Sequence, residues 1–334
     1  MVDRVSRRQF LRQSIYFSAA HLLAEGTFHA QEVSRIDPEP GARHLFALGD
    51  WGEESSQRQQ RAVAEAMQSY ARLNDLQVES LLMLGDNWYG WLFDGSKSSR
   101  WQSQFEDRYP ESVFPGKCYA ILGNHDYEHR PGSKVEAQLE YARGKTRWTM
   151  PAKWYSFDFP EANPLIRFIA LDSNYPHGEH FLKTPTLNED EVNQQNAWLK
   201  STLQEPTKAP FTSIIAHHPI FSNGDHGDTH SLIRDWQPLL EQHRIPLYLS
   251  GHDHDLQHIE FDGKPTSYVI SGGGGATLRD MKISASTRGP YGVKVAGFTH
   301  LQVTEKSLTI RHVDETGRVL HGFSKSREGI VTLL

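Results

Sequence analysis

A single cysteine, Cys118, in 334 residues rules out an intrachain disulfide. No apolar stretch reaches the ~18–20 residues that a membrane-spanning helix requires. Basic residues are also scarce, with 35 lysines and arginines against 41 aspartates and glutamates, a net charge of −6. A chain with that balance lacks the basic stripes needed to bind nucleic acid along its phosphates. Internal repeats, low-complexity linkers and breaks in composition are missing too, so residues 31–334 are expected to form one domain. With 37% apolar residues, the chain can bury a sizeable core. Cys118 lies inside an apolar run and reads as a buried strand thiol.

The N-terminus differs from the rest. Ser6-Arg7-Arg8-Gln9-Phe10-Leu11-Arg12, followed by a weakly apolar stretch over 14–28, resembles a twin-arginine export signal ending near Ala30. That implies transit through the twin-arginine machinery to the periplasm or beyond. This route carries folded proteins and suits a chain that needs no disulfide. Residues 1–30 hold four arginines against two carboxylates, which leaves the remainder at −8 against −6 for the whole. A small anionic substrate stays compatible with that charge, provided the pocket is locally cationic.

Strands are expected at 44–48, 80–84 and 119–122, with a helix over 55–73 and a short one over 101–109. This strand-helix-strand succession favours parallel pairing. Further on, the pattern gives a helix at 134–143, strands at 154–159, 166–171, 212–216 and 247–250, and helices at 189–203 and 232–243. Residues 172–188, rich in His, Pro, Asn and Thr, read as a surface loop. The strands expected at 267–271, 298–303, 307–313 and 318–323 are antiparallel candidates to complete a second sheet.

Five of the apolar runs end in metal-binding side chains. HLFALGD closes on Asp50, SLLMLGDNWY on Asp86 and Tyr89, and CYAILGNHD on Asn124 and His125; SIIAHH ends at His217 and His218, and LYLSGHDH at His252 and His254. Ligand sites in open α/β sheets gather beyond the carboxyl ends of the strands, so five such ends describe one site. Two cations held close together for hydrolysis need anionic oxygens, neutral imidazoles and open positions, and these residues supply that mixture. His252 and His254 stand two apart, so on an extended segment both rings face the same way.

The order GD, GDxxY, GNHD, AHHP and GHDH from Gly49 to His254 resembles the metallophosphoesterases, specifically the small, tartrate-resistant type of purple acid phosphatase. The resemblance continues through Tyr268-Val269-Ile270-Ser271-Gly272 and the closing strands. It implies an α/β fold, a metallophosphoesterase-like sandwich of two mixed β-sheets flanked by helices. It also implies hydrolysis of phosphate monoesters at an Fe(III) ion paired with a divalent Fe, Zn or Mn. Common metallophosphoesterases carry Asp-x-His at the first site, whereas this chain has Asp50-Trp51-Gly52 and places Tyr89 three residues after Asp86. A phenolate is a hard anionic donor suited to a trivalent ion. By resemblance, Asp50, Tyr89 and His254 hold the ferric ion and Asp86 bridges, while Asn124, His217 and His252 hold the divalent ion. His125 and His226 stand above the open positions as catalytic groups that contact phosphate oxygens or protonate the leaving alcohol.

The chain departs from that pattern in places. His218 replaces the tyrosine common in the small phosphatases, and His177 and His180 sit in the variable loop. Gly272 to Gly275 has no Gly-Lys-Ser/Thr after it and reads as a close-approach loop rather than a nucleotide cradle. Two alternatives follow from the same residues. One is a phosphodiesterase or nucleotidase with two divalent ions, against which Gly52 and Tyr89 count. The other is a non-catalytic exported binding protein, against which the retention of His125 and His226 counts.

Overall fold

The computed structural model describes residues 33–53, 57–128, 133–144, 146–175 and 186–334. The expected export signal, and His177 and His180, lie outside them. Arg43–Leu48 (β1), Arg58–Leu73 (α1), Val78–Met83 (β2) and Lys117–Ala120 (β3) follow the expected order. Val63, Met67 and Tyr70 recur at three-to-four spacing on the buried face of α1. Because α1 carries the chain back over the sheet, β1 and β2 pair in parallel, and β3 adds to β2 in the same sense. A short strand at Trp148–Thr149 (β4), not anticipated from sequence, pairs with β3.

The second sheet is made by the middle of the chain. It contains Tyr155–Phe159 (β5), Ile166–Ala170 (β6), Phe211–Ile215 (β7), Leu247–Ser250 (β8), Leu256–Ile259 (β9), Ser267–Ser271 (β10) and Pro290–Val293 (β11). Their order is β11-β9-β10-β8-β7-β6-β5.

Of the four strands expected to complete a second sheet, 267–271 does so as β10, antiparallel to β9, whereas the last three do not. Gly297–Val303 (β12), Ser307–Asp314 (β13), Val319–Ser326 (β14) and Val331–Leu333 (β15) extend the first, in the order β15-β14-β13-β12-β1-β2-β3-β4. β12 runs antiparallel to β1, from Arg43↔Val303 to Ala47↔Thr299. Every residue of β12 is buried, so its alternation carries no solvent face from which a partner could have been read.

A second correction concerns the helix expected over 232–243. It divides into His230–Asp235 (α4) and Gln237–Gln242 (α5), meeting at Trp236. Pro238 lacks an N–H and crowds the carbonyl four residues earlier, so one continuous helix is blocked there. Of the other expected helices, the short one over 101–109 forms as a single wide turn at Trp101–Glu106, and Ser133–Ala142 (α2) and Glu189–Thr202 (α3) lie close to expectation. α3 starts on a capping box in which the Glu191 N–H donates to Asn188 Oδ1 (2.9 Å) and the Asn188 N–H to Glu191 Oε2 (3.0 Å).

The sheets face each other across one core, where Leu45, Leu82 and Phe298 from the first meet Ile215, Leu249 and Val269 from the second. Leu199, Leu232 and Leu240 from the helices cover the other side of the second sheet. Each such side chain contributes roughly 1.5–3 kcal/mol by leaving water, so the core fixes how the sheets meet. The chain thus forms the expected sandwich of two mixed sheets with flanking helices. Among the described residues, no helix is long and apolar enough to cross a membrane.

Candidate metal centre

The ends of β1, β2, β3, β7 and β8 come together at one rim of the sandwich, although three belong to the first sheet and two to the second. Backbone bonds stitch them: the Gly49 N–H donates to Ser271 O (2.7 Å), the Asp50 N–H to Gly85 O (3.0 Å) and the Gly251 N–H to His217 O (3.0 Å). The chain must turn sharply at each strand end. Asp50 (φ 61°), Asp86 (φ 50°) and His252 (φ 71°) all lie in the left-handed region, each directly after a glycine. Such positions cost of order 1–3 kcal/mol and persist only where the surroundings over-determine them. Gly123 leaves the necessary space, since a Cβ there would sit 2.2 Å from the Asp86 nitrogen. The glycines at 272 and 274 likewise admit close backbone, as the Gly274 N–H reaches Gly49 O at 3.1 Å.

All seven side chains expected to bind metal converge here. Tyr89 Oη stands 3.4 Å from Asp50 Oδ1, 3.2 Å from Asp86 Oδ2 and 3.2 Å from His254 Nε2. On the other side, His217 Nε2 lies 3.3 Å from Asp86 Oδ2, 3.2 Å from Asn124 Oδ1 and 3.2 Å from His252 Nδ1. Asp86 is common to both groups. Ligand atoms of Asp86, His217 and His252 all fall within 4.8 Å of one another. Two carboxylates, a phenol, an amide oxygen and three imidazoles crowded this closely, and nearly all buried, are a donor set that fits a pair of cations.

What stands behind each imidazole separates them into two kinds. His217 Nδ1 bonds to Leu84 O (2.9 Å) and His254 Nδ1 to Thr277 O (2.6 Å), so in each the neutral ring keeps its proton on Nδ1 and turns the Nε2 lone pair toward the centre. His125 and His226 are backed by carboxylates instead. His226 Nδ1 is 2.9 Å from Asp253 Oδ1. His125 Nδ1 is 2.8 Å from Glu128 Oε1, at pairing distance but with the oxygen off the line of the ring N–H. The His125 ring lies 4.0 Å from that of Tyr89, and the His226 ring 4.0 Å from that of His252. His218 is also at the site, 4.3 Å ring to ring from His252, with Nδ1 held by Ser173 Oγ at 2.8 Å.

Sequence reading passed over the supporting carboxylates. Asp126, fully buried, accepts from the N–H groups of Gly123 (2.9 Å), Asn87 (3.1 Å) and Trp88 (3.0 Å), fixing the turns that carry Asn124 and Tyr89. Asp253 lies between His252 and His254 in the sequence but points away from the centre, toward His226 and Ser222. Its place in a run of metal-binding residues hid that separate role. Glu128, three residues after His125, was the one with a readable signal, since i,i+3 side chains in a tight turn lie together.

The donors act strongly on one another's protonation. Burial pushes the Tyr89 phenol well above its ordinary pKa, and Asp86 and Asp50 push it further. Burial disfavours the charged Asp86, but His217 and His125 outweigh it and hold this carboxyl below its usual range. Burial likewise opposes charge on His217, yet Asp86 and Asp50 prevail and lift it to about 10. A raised value stabilises the fold fully below the unfolded pKa near 6.5 and is lost as pH climbs through about 10. Metal-free protein is therefore expected to lose thermal stability between those two pH values. Metal uptake at neutral pH should release a proton, seen by titration calorimetry in buffers of different ionisation enthalpy. An uptake heat independent of the buffer would contradict it.

Residues 44–256 match the family described as Calcineurin-like phosphoesterase. The chain belongs to that family. Among its relatives is tartrate-resistant acid phosphatase type 5 of Oryctolagus cuniculus, 31% identical over an aligned length of 296, with 83% of this chain and 88% of that protein covered. Two solved structures share the fold. GAP50, the anchor in the inner membrane complex of Plasmodium, has a TM-score of 0.68 at 22% identity, covering 84% of this chain and 87% of that one. Purple acid phosphatase PPD1 from yellow lupin (Lupinus luteus) seeds has a TM-score of 0.64 at 16% identity, covering 86% and 54%. As a calcineurin-like phosphoesterase of the purple acid phosphatase kind, the protein is a phosphoric monoester hydrolase that works at a dinuclear metal site.

Proposed function

We propose that the protein is an exported acid phosphatase whose centre pairs Fe(III) with a divalent Fe, Zn or Mn ion. Asp50, Tyr89 and His254 would hold the ferric ion and Asp86 would bridge. Asn124, His217 and His252 would hold the divalent ion. The observation that carries this reading is the placement of Tyr89 Oη within 3.4 Å of Asp50, Asp86 and His254 donor atoms. A phenol kept neutral by burial and two carboxylates gives up its proton only to a highly charged cation, which favours a trivalent one. When bound, the pair supplies Lewis acidity, acidifying water and offsetting charge that builds on the phosphoryl group.

The chain's own residues do the rest. Asp86 keeps both halves of the donor set in register. His125 and His226 present Nε2 toward the phosphoryl oxygens and the leaving alcohol, where a proton held at Nε2 can pass to the departing oxygen. Burial opposes charge on His125, but Asp86 and Glu128 outweigh it and raise its pKa, so an optimum on the acid side is expected. The substrate is a small phosphorylated molecule. Export through the twin-arginine pathway to the periplasm, and cleavage near Ala30, rest on the Arg7-Arg8 segment. Residues 31–334 would be the single catalytic domain.

Metal analysis with visible spectroscopy on wild type and Tyr89→Phe tests the centre. Wild type should hold about two metals per chain, one of them iron, with a broad visible band from phenolate-to-iron charge transfer. The band should disappear in Tyr89→Phe. An unchanged spectrum would rule out the phenolate assignment.

A further inference from the structure

We propose that Glu128 is a positioning residue for His125, fixing the ring through Nδ1 so that Nε2 faces the phosphoryl group. The proposal rests on the reading of His125 given above. His125 opens onto the site from the tight turn Asn124–Tyr127, whose threefold winding stacks residue 128 over residue 125. Asp126 anchors that turn from inside, so His125 and Glu128 are left on the outer face together.

The His125 ring is constrained on each side. Its backbone N–H donates to Asp86 Oδ1 at 2.7 Å, its face lies 4.0 Å from the Tyr89 ring, and Nε2 stands 3.9 Å from Asp86 Oδ2. What these contacts leave undetermined is which way the imidazole is turned about its own axis. Glu128 Oε1, 2.8 Å from Nδ1, decides it. The oxygen's offset from the N–H line is the loose arrangement common before substrate binds, and it tightens in the complex.

Glu128 is itself held. Its Oε2 is 3.9 Å from Nζ of Lys134, a lysine only 2% exposed that donates to Trp88 O (2.8 Å) and Gly90 O (2.9 Å). Those carbonyls flank Tyr89, so one buried ammonium links the carboxylate behind His125 to the segment that presents the phenol. Asp253 stands behind His226 in the same way, at 2.9 Å from Nδ1. In contrast, His217 and His254 are backed by neutral carbonyls. The carboxylates thus accompany His125 and His226, the two imidazoles proposed to act on the substrate.

Glu128 is 29% exposed, so its replacement should leave the fold intact. The test is steady-state kinetics on metal-loaded Glu128→Ala, Glu128→Gln, His125→Ala and the double variant His125→Ala/Glu128→Ala, each with its metal content and visible spectrum. Glu128→Ala is expected to lower kcat about tenfold, with KM, metal content and spectrum unchanged. Glu128→Gln should recover most of the loss, because its amide oxygen still accepts from Nδ1. In the His125→Ala background, Glu128→Ala should add nothing. Wild-type kcat in Glu128→Ala beside an impaired His125→Ala would overturn the proposal and leave the reading of His125 standing. A loss of metal, or an equal loss of kcat in both backgrounds, would overturn it as well. Wild-type kcat in His125→Ala would sink the reading of His125 itself.

Discussion

Replacing Asp86 by asparagine is expected to lower hydrolysis of an aryl phosphate by ~10³-fold or more. Asp86 is buried, and its Oδ2 lies 3.2 Å from Tyr89 Oη and 3.3 Å from His217 Nε2, so it belongs to both halves of the donor set. The amide keeps the side chain's size but removes its charge and can set an N–H₂ group against the imidazole. The cations would then lose the anion proposed to lie between them. A metal is worth several kcal/mol of transition-state stabilisation, and each ~1.4 kcal/mol is tenfold in rate, which gives the expected factor. Metal content per chain should fall with activity, while far-UV circular dichroism should persist, because the core rather than the centre fixes how the sheets meet. A variant holding two metals and turning over within tenfold of wild type would show that Asp86 does not bridge.

His226→Ala should behave differently, losing ~10²-fold in kcat while retaining its metals and visible band. The His226 side chain is 31% exposed and lies over His252 rather than among the buried donor atoms. Its loop does not depend on the ring. The His226 N–H donates to Asp253 Oδ1 (2.9 Å), Ser222 Oγ donates to Asp253 Oδ2, and Arg288 holds Asn223 Oδ1 (2.6 Å) and Asp228 Oδ2 (2.8 Å). A loss confined to kcat identifies a group that acts on the bound phosphoryl ester. Unchanged kcat would remove His226 from catalysis, and lost metal would place it among the ligands.

The two variants separate holding the metals from using them, and the imidazoles divide along the same line. In the sequence, His125, His217, His226 and His254 are alike. In the fold, backbone carbonyls at Leu84 and Thr277 stand behind two of them and carboxylates at Glu128 and Asp253 behind the others. A carbonyl orients an imidazole without adding charge, which suits a metal ligand. A carboxylate holds the ring by an acceptor on one nitrogen and leaves the other to face the substrate, which suits a group that acts on it.

Most of the fold was legible because its strands and helices are strongly patterned. The run from β1 through α1 to β3 could be placed to within a few residues, since α1 repeats its apolar positions at helical spacing and the strands are short apolar blocks ending at Gly-Asp or Gly-Asn. Pairing partners were less accessible. The closing strands join β1 rather than a second sheet because hydrogen-bonding edges carry no side-chain signature. The break at Trp236 was missed because the apolar period continues through it, although Pro238 was there to be weighed.

By itself the sequence determined which residues meet at the centre: five apolar runs each stop at a donor, and strand ends are where ligands collect. Gly52 in place of a histidine, together with Tyr89, was enough to suggest what kind of metal pair the centre suits. Apart from Glu128, whose spacing from His125 is readable, only the tertiary structure decided what stands behind each imidazole. Glu128, Lys134 and Asp253, and the carbonyls of Leu84 and Thr277, orient side chains through distances and directions. Those depend on how two sheets pack across a core, and linear order does not encode them locally.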